Sequence, residues 1–171
     1  KRLRPLTENT PKPLLHVGDK PILEQNIDRL NEKFGVYTFY LTVKYLGEQI
    51  QDYFKDGTNK GISICYHWEN DKALGTIGSI RCFDYFPHDY ILVMNSDILT
   101  TIDFEDFFLD FIQKDADMAV ATVPYRVKIP YGVLETDHHE IIDLKEKPTY
   151  TYYSNGGIYL IKKQVIDQIP E

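Results

Sequence analysis

Basic side chains are concentrated near the start of the chain. Residues 1–20 hold five lysines and arginines against two acidic residues, a net charge of +3, while the other 151 residues carry −10 and the whole chain −7. Arg2, Arg4 and Lys12 lie among prolines that stiffen this segment. Arg offers a bidentate fork and Lys a compact charge for phosphate oxygens. The pattern is equally compatible with a triphosphate-binding loop and with a solvated basic tail.

Asp97 is the candidate metal ligand. It follows the apolar run Tyr90–Met94, which has the continuous hydrophobic character of a strand covered on both faces. In open α/β sheets, ligands bind outside the carboxyl ends of the strands, where a carboxylate can hold Mg²⁺ together with phosphate oxygens. A turn-forming or helix-capping Asp is the alternative.

Leu74, Gly75 and Thr76 open a predicted helix with small residues. Glycine there lets the backbone approach a flat ligand closely, and the start of a helix offers free N–H groups. The same residues are also compatible with a simple turn. This block is therefore a candidate nucleotide site only in combination with other motifs.

Two further polar segments adjoin predicted strands late in the chain. Glu146 and Lys147 follow a predicted hairpin, and Asn155 and Gly157 stand before and at the start of a strand. These groups can bind hydroxyls and a phosphate. The alternatives are an exposed charge pair and a turn.

Other reactive residues indicate no separate chemistry. His138 and His139 are adjacent in a predicted hairpin turn and lack the helical i, i+4 spacing of a metal pair, so we expect surface residues. Cys65 and Cys82 have neither a disulfide framework nor zinc-type spacing, and we expect buried thiols. The sequence contains no GxxxxGK[ST] or GxSxG motif, which argues against a P-loop NTPase and a serine hydrolase.

Strands and helices are predicted to alternate along the chain. The predicted strands are 36–43, 62–68, 90–94, 118–124, 133–136, 141–144 and 157–161. The predicted helices, the first opened by Pro21 and the fourth capped by Asp103, are 21–34, 46–54, 76–86, 103–114 and 163–169. This alternation predicts one α/β domain over residues 1–171, with a mostly parallel sheet and a small hairpin.

Composition narrows the class of protein. At 43% hydrophobic residues the chain can bury a core, and we expect the phenylalanines of 104–111 to belong to it. The apolar runs are far shorter than the roughly 20 residues of a membrane span. The first residues do not resemble a secretory signal, so we expect a cytoplasmic protein. The acidic body argues against nucleic-acid partners.

Six blocks resemble, in order and spacing, the sugar-1-phosphate nucleotidylyltransferases: RLRPLTENTPKPLLHVGDKPILE, LGTIGS, VMNSDIL, PYGVLE, EKP and NGGIYLI. The similarity is strongest to the bacterial guanylyltransferase branch that acts on mannose 1-phosphate, including members fused to CBS domains. The resemblance implies a Rossmann-like three-layer α/β/α fold. The family has a strand and a glycine-rich loop before the arginine and a second metal carboxylate after NGGIY, so we expect a partial domain, incomplete at both ends.

The resemblance also implies roles for individual residues. Arg2 and Lys12 match the catalytic residues that neutralise triphosphate charge, and Asp97 matches the first Mg²⁺ carboxylate. The base and ribose contacts match Leu74, Gly75 and Thr76. In the site for the sugar-phosphate substrate, Gly132 and Glu146 match contacts to the sugar hydroxyls and Lys147 a contact to the phosphate. Asn155 and Gly157 match the strand edge beside the sugar.

The implied reaction is attack of a sugar-1-phosphate oxygen on the α-phosphorus of a nucleoside triphosphate, GTP by this resemblance, with release of pyrophosphate. The product would be a nucleotide sugar for polysaccharide or glycan synthesis, with Mg²⁺ as cofactor. A homo-oligomer and a fused regulatory domain are further expectations. The alternatives are the same chemistry with dTTP or UTP, and a non-catalytic nucleotide-sugar sensor of the same fold.

Overall fold

The computed structural model describes residues 3–69, 75–83 and 85–169. The chain divides into two compact units, Lys1–Ala119 with Gly157–Glu171, and Val120–Gly156. The helices are α1 (Ile22–Phe34), α2 (Gly47–Phe54), α3 (Gly75–Gly78) and α4 (Phe104–Gln113). The strands are β1 (His16–Val17), β2 (Lys20–Pro21), β3 (Thr38–Val43), β4 (Ser63–Trp68), β5 (Tyr90–Met94), β6 (Met118–Lys128), β7 (Val133–Asp137), β8 (Glu140–Lys145) and β9 (Thr149–Lys162). Within the described ranges, none of the helices has the length and apolar character needed to cross a lipid bilayer.

Parallel and antiparallel pairs both occur. Strands β3 and β4 pair in parallel, with Thr38 opposite Ser63, as expected when a helix connects them. Strands β5 and β9 pair antiparallel within a three-stranded sheet of order β5-β9-β6. Strands β7 and β8 form the predicted hairpin. The predicted α/β class is confirmed, although antiparallel pairing takes a larger share of the described strands than a mostly parallel sheet implies.

Helix α1 begins at Ile22, one residue after its predicted start, and Pro21 is its N-cap. Pro21 can precede the helix without losing a helical hydrogen bond. Ile27 and Leu30 on the apolar face are buried. Gly35 ends the helix in the left-handed conformation at φ 64°, and its N–H donates to carbonyls of the last turn.

Helix α4 also matches its prediction, and its N-cap is confirmed. The Asp103 carboxylate accepts hydrogen bonds from the backbone N–H groups of Glu105, at 3.0 Å, and Asp106, at 3.2 Å. Phe104 and Phe111 are buried. The apolar stripe is narrower than predicted, since Phe108 is 36% exposed on the flank of the helix.

Four predicted elements differ from the observed ones in length or type. Instead of a helix over 76–86, α3 ends at Gly78 and a 3₁₀ turn follows over Ser79–Cys82. Phe83 is extended, and its ring packs edge-on against Tyr40 at 4.9 Å, so tertiary packing ends the helix early. Strands β6 and β9 continue well past their predicted bounds, and Lys163–Gln168 is 3₁₀ rather than α-helical.

The expected burial of the cysteines is wrong for Cys65, which is exposed, while Cys82 is partly buried. Cys65 lies between Ile64 and Tyr66 on β4, and side chains alternate faces along a strand. Because Ile64 points into the core, Cys65 points away from it. Burial raises the pKa of the Cys82 thiol.

An ion network joins α1 to the turn before β4. Lys60 Nζ lies 2.7 Å from carboxylate oxygens of both Glu24 and Asp28. Lys20 lies 2.6 Å from Asp28, and the Tyr53 hydroxyl donates to Glu24 at 2.7 Å. Burial alone would raise the pKa of Glu24 and of Asp28, but the hydrogen bonds they accept outweigh it and hold both pKa values below their usual range.

Lys60→Met is expected to lower the free energy of unfolding by about 1–3 kcal/mol at neutral pH, because two carboxylates lose a charge-assisted hydrogen bond. The pKa values of Glu24 and Asp28 are lower in the folded protein than in the unfolded chain, where they are about 4. The stabilisation is therefore complete at pH values above about 4, and it is lost as the pH falls through the pKa values of the folded protein. Denaturant unfolding between pH 7 and 3 measures it. Lys33→Met, an exposed change on α1, is the control. A difference between wild type and Lys60→Met that stays constant down to pH 3 would contradict the prediction.

Candidate active site

The structure brings Lys12 and Asp97, 85 positions apart in sequence, into a direct ion pair in which Lys12 Nζ donates to Asp97 Oδ2. Lys12 starts a 3₁₀ turn behind the buried Pro11, and Asp97 lies in the turn after β5. The Asp97 side chain is 25% exposed and that of Lys12 is 49% exposed. The predicted phosphate-binding lysine and the predicted metal carboxylate therefore occupy one solvent-accessible place.

The surroundings of Asp97 are compatible with a divalent cation. Asp97 offers carboxylate oxygens, the donors that Mg²⁺ prefers, and its counterion here is the Lys12 ammonium. Mg²⁺ commonly binds through one or two carboxylates, substrate phosphates and water. Across residues 3–69, 75–83 and 85–169, no group of three or more His, Cys, Asp or Glu residues forms a metal cage. The residues fit an ion that is held jointly with a phosphate ligand.

Asn95 links two more predicted residues beside this turn. Its side-chain Oδ1 accepts from the Thr76 hydroxyl at 2.6 Å, and its backbone N–H donates to the Gly157 carbonyl at 3.1 Å. Gly157 has φ +72°, and a Cβ there would lie 2.6 Å from Asn95 Nδ2 and 3.0 Å from Ile98 Cδ1. Gly157 is required by both backbone conformation and close packing. Sequence analysis did not single out Asn95, although its position directly after β5 was a usable signal.

Helix α1 also holds the chain that follows Asp97. Asn26 Nδ2 donates to the carbonyl of Ile98 at 2.9 Å, and the Arg29 guanidinium donates to the carbonyls of Thr100 and Ile102. Asn26 and Arg29 are one helical turn apart and share a face. Sequence analysis missed both, because nothing local marks a helical side chain as the partner of a backbone more than 70 positions away.

The basic loop is held by the segment that follows β3. The Tyr45 hydroxyl donates to the Glu8 carbonyl at 2.9 Å, and Gln49 Nε2 donates to the Asn9 carbonyl at 3.0 Å. An open cavity of about 520 Å³ lies here, and its lining residues are Leu3, Arg4, Thr7, Thr10, Pro11, Lys12 and Tyr45. Arg4 and Lys12 give the cavity a cationic wall suited to a polyanion.

In the second unit, the predicted sugar-phosphate residues lie around the end of the β7–β8 hairpin. A Cβ on Gly132 would lie 3.3 Å from Glu146 Oε2, and Lys147 Nζ lies 3.5 Å from Glu146 Oε1. Both charged side chains are more than half exposed. Asn155 is an exposed residue of β9. Gly132, Glu146 and Lys147 therefore form one polar group within this unit.

The remaining predicted residues divide into three cases. Gly75 begins α3 at φ +70°, and among the described residues no atom lies within 4 Å of a Cβ added to it. Arg2 and Leu74 lie outside the described residues. The predicted surface position of His138 and His139 is confirmed, since both are exposed in the turn between β7 and β8.

Comparison with known proteins shows that the chain is similar to nucleotidyl transferases. A family model described as nucleotidyl transferase matches residues 1–171. The UTP–glucose-1-phosphate uridylyltransferase of Synechocystis sp. is 32% identical over 99% of this chain, which spans 48% of that protein. The D-glycero-alpha-D-manno-heptose 1-phosphate guanylyltransferase of Aneurinibacillus thermoaerophilus is 31% identical over 98% of this chain and 72% of its own length. The chain thus spans about half the length of the first of these relatives.

A solved structure shares the fold. HddC from Yersinia pseudotuberculosis complexed with GMP-PN aligns with a TM-score of 0.69 and 25% identity, over 99% of this chain and 75% of that one. The match of the family model over the whole chain defines the class of protein. The chain belongs to the nucleotidyl transferase family, and its relatives include enzymes named for sugar 1-phosphates.

Gly157→Ala is expected to destabilise the protein by more than the about 1–2 kcal/mol of a left-handed backbone alone, because the new methyl group displaces the Asn95 side chain. Gly61→Ala is the matched control, since Gly61 has φ +69° but no atom within 4 Å of its added Cβ. Denaturant unfolding of both variants gives the comparison. Equal losses would show that contact with Asn95 contributes nothing.

Proposed function

We propose that this chain is part of the catalytic domain of an enzyme that transfers a nucleoside monophosphate from a nucleoside triphosphate to a sugar 1-phosphate. The observation that carries the proposal is the pairing of Lys12 with Asp97 at the carboxyl end of β5. A triphosphate and a sugar phosphate are both anions, so bringing them together requires positive charge. Lys12 supplies a cation for phosphate, and Asp97 supplies a carboxylate for a metal ion. Family membership and the names of the relatives support it.

The proposed step is a single in-line displacement. A phosphate oxygen of the sugar 1-phosphate forms a bond to the α-phosphorus as the bond from that phosphorus to the pyrophosphate oxygen breaks, and pyrophosphate leaves. Both reactants are anions, so catalysis depends mainly on positioning them and neutralising their charge. This chemistry needs no covalent enzyme intermediate.

Each group of residues has a role in this proposal. Lys12 leaves Asp97 to bind triphosphate oxygens, together with Arg2. Asp97 would hold Mg²⁺, which when bound neutralises phosphate charge. Gly75 and Thr76 bind the base and ribose, and the family resemblance assigns Leu74 to the same site. Glu146, near Gly132, binds sugar hydroxyls, and Lys147 binds the sugar phosphate. Asn155 and Gly157 are assigned to the strand edge beside the sugar.

GTP is the proposed nucleotide. The sequence blocks resemble the guanylyltransferase branch, and one relative carries that activity in its name. Another relative is named for UTP, so uridylyl transfer is the competing specificity. The proposed movement of Lys12 from Asp97 to the triphosphate does not depend on the base, because Lys12 contacts only phosphate oxygens.

Lys12→Met in the full-length protein is expected to lower the turnover of pyrophosphate release by about 10²–10³-fold, the usual cost of losing one charge-stabilising donor. Arg2→Ala is expected to give a similar loss. Lys33→Met, on the exposed surface of α1, is the control and should keep wild-type turnover. Pyrophosphate release is measured with GTP, UTP and dTTP, each with a panel of sugar 1-phosphates.

Three outcomes would contradict parts of the proposal. Unchanged turnover in Lys12→Met would remove Lys12 from the chemistry. A clear preference for UTP or dTTP would replace GTP while leaving the reaction class intact. Nucleotide-sugar binding without pyrophosphate release from any triphosphate would identify a sensor instead of an enzyme.

A further inference from the structure

The backbone after Asp97 is irregular and needs outside partners for its carbonyl groups. Residues 98–103 lie in neither a helix nor a strand, so no ladder satisfies them. Three alternate carbonyls, those of Ile98, Thr100 and Ile102, instead accept hydrogen bonds from Asn26 and Arg29. A partly buried carbonyl without a partner costs about 1–3 kcal/mol, so these bonds determine the path of the segment.

Arg29 is itself held in place on two sides. Its guanidinium lies over the Phe104 ring, 5.1 Å from the centroid, and the same ring packs edge-on against Phe34 at 5.5 Å. A guanidinium fixed over an aromatic ring presents its planar donors with little freedom to rotate. Lys could keep the charge at this position but could not reproduce the fork that reaches both carbonyls.

The backbone is therefore held by hydrogen bonds on both sides of Asp97. On one side the Asn95 backbone N–H bonds Gly157 and its side chain bonds Thr76. On the other side Asn26 bonds the carbonyl of Ile98, the residue next to Asp97. Neither of these hydrogen-bonded groups uses the Asp97 carboxylate, whose partner in the structure is Lys12.

We propose that Asn26 and Arg29 are positioning residues that set Asp97 for its metal, by pinning the backbone that follows it to α1. This inference rests on the proposed function, since it takes Asp97 as the metal ligand. Residues that orient a metal ligand typically change metal affinity by 10–100-fold when they are replaced. They should change nucleotide binding without metal much less.

Arg29→Lys in the full-length protein tests the inference with charge conserved. The half-saturating Mn²⁺ concentration at saturating nucleotide, followed by electron paramagnetic resonance, is expected to rise about ten-fold or more. Nucleotide affinity without metal should stay within about two-fold. Asn26→Asp keeps the shape of the side chain but removes its donor, and should shift Mn²⁺ binding in the same direction. Arg81→Lys is the matched control, because the Arg81 guanidinium bonds the carbonyl of Ile169 instead.

A double-mutant cycle separates positioning from general stability. Asp97→Asn should raise the half-saturating Mn²⁺ concentration more than Arg29→Lys does, and Arg29→Lys added to it should raise it no further, since residues acting through one group are not additive. Wild-type Mn²⁺ binding in both Arg29→Lys and Asn26→Asp would overturn the positioning role while leaving the proposed function standing. Wild-type Mn²⁺ binding in Asp97→Asn would overturn the metal assignment and this inference together.

Discussion

The position of the Asp97 turn is the constraint on which the candidate site depends. A carboxylate just beyond the end of a strand has no ladder to fix it, so its place is decided by whatever holds the neighbouring backbone. Here Gly157 on β9 holds one side and α1 holds the other. Strand β5 leads the chain to this place, and the bonds to α1 and Gly157 fix the backbone on either side of Asp97.

Charge is the second constraint. Lys12 and Asp97 neutralise each other in this structure, and both side chains remain accessible to solvent. Such an exposed pair contributes little to stability, which makes it easy to separate. A polyanion and a divalent cation can replace the two partners without leaving an unpaired charge. The ion network around Lys60 differs from the Lys12–Asp97 pair because its groups are more buried. It stabilises the position of α1, and we assign it no ligand.

Local rules in the sequence predicted most of the helices and strands of the fold. Pro21 before α1, Asp103 before α4 and the turn between β7 and β8 each act through the backbone of adjacent residues, so they are readable without the fold. The helix predicted over 76–86 failed because Phe83 packs against Tyr40, a contact set by tertiary structure. Strands β6 and β9 exceeded their predictions because pairing with a neighbouring strand extends a strand beyond its local pattern.

The sequence by itself determined the family, the α/β class and the identity of the charged candidates, because these depend on residue types and spacing along the chain. It named Lys12 and Asp97 but could not show that they meet. It did not single out Asn95, and it gave no sign of Asn26 and Arg29, which bond partners through the fold. Only the tertiary structure decided these, because a hydrogen bond to a distant backbone carbonyl leaves no local pattern in the sequence.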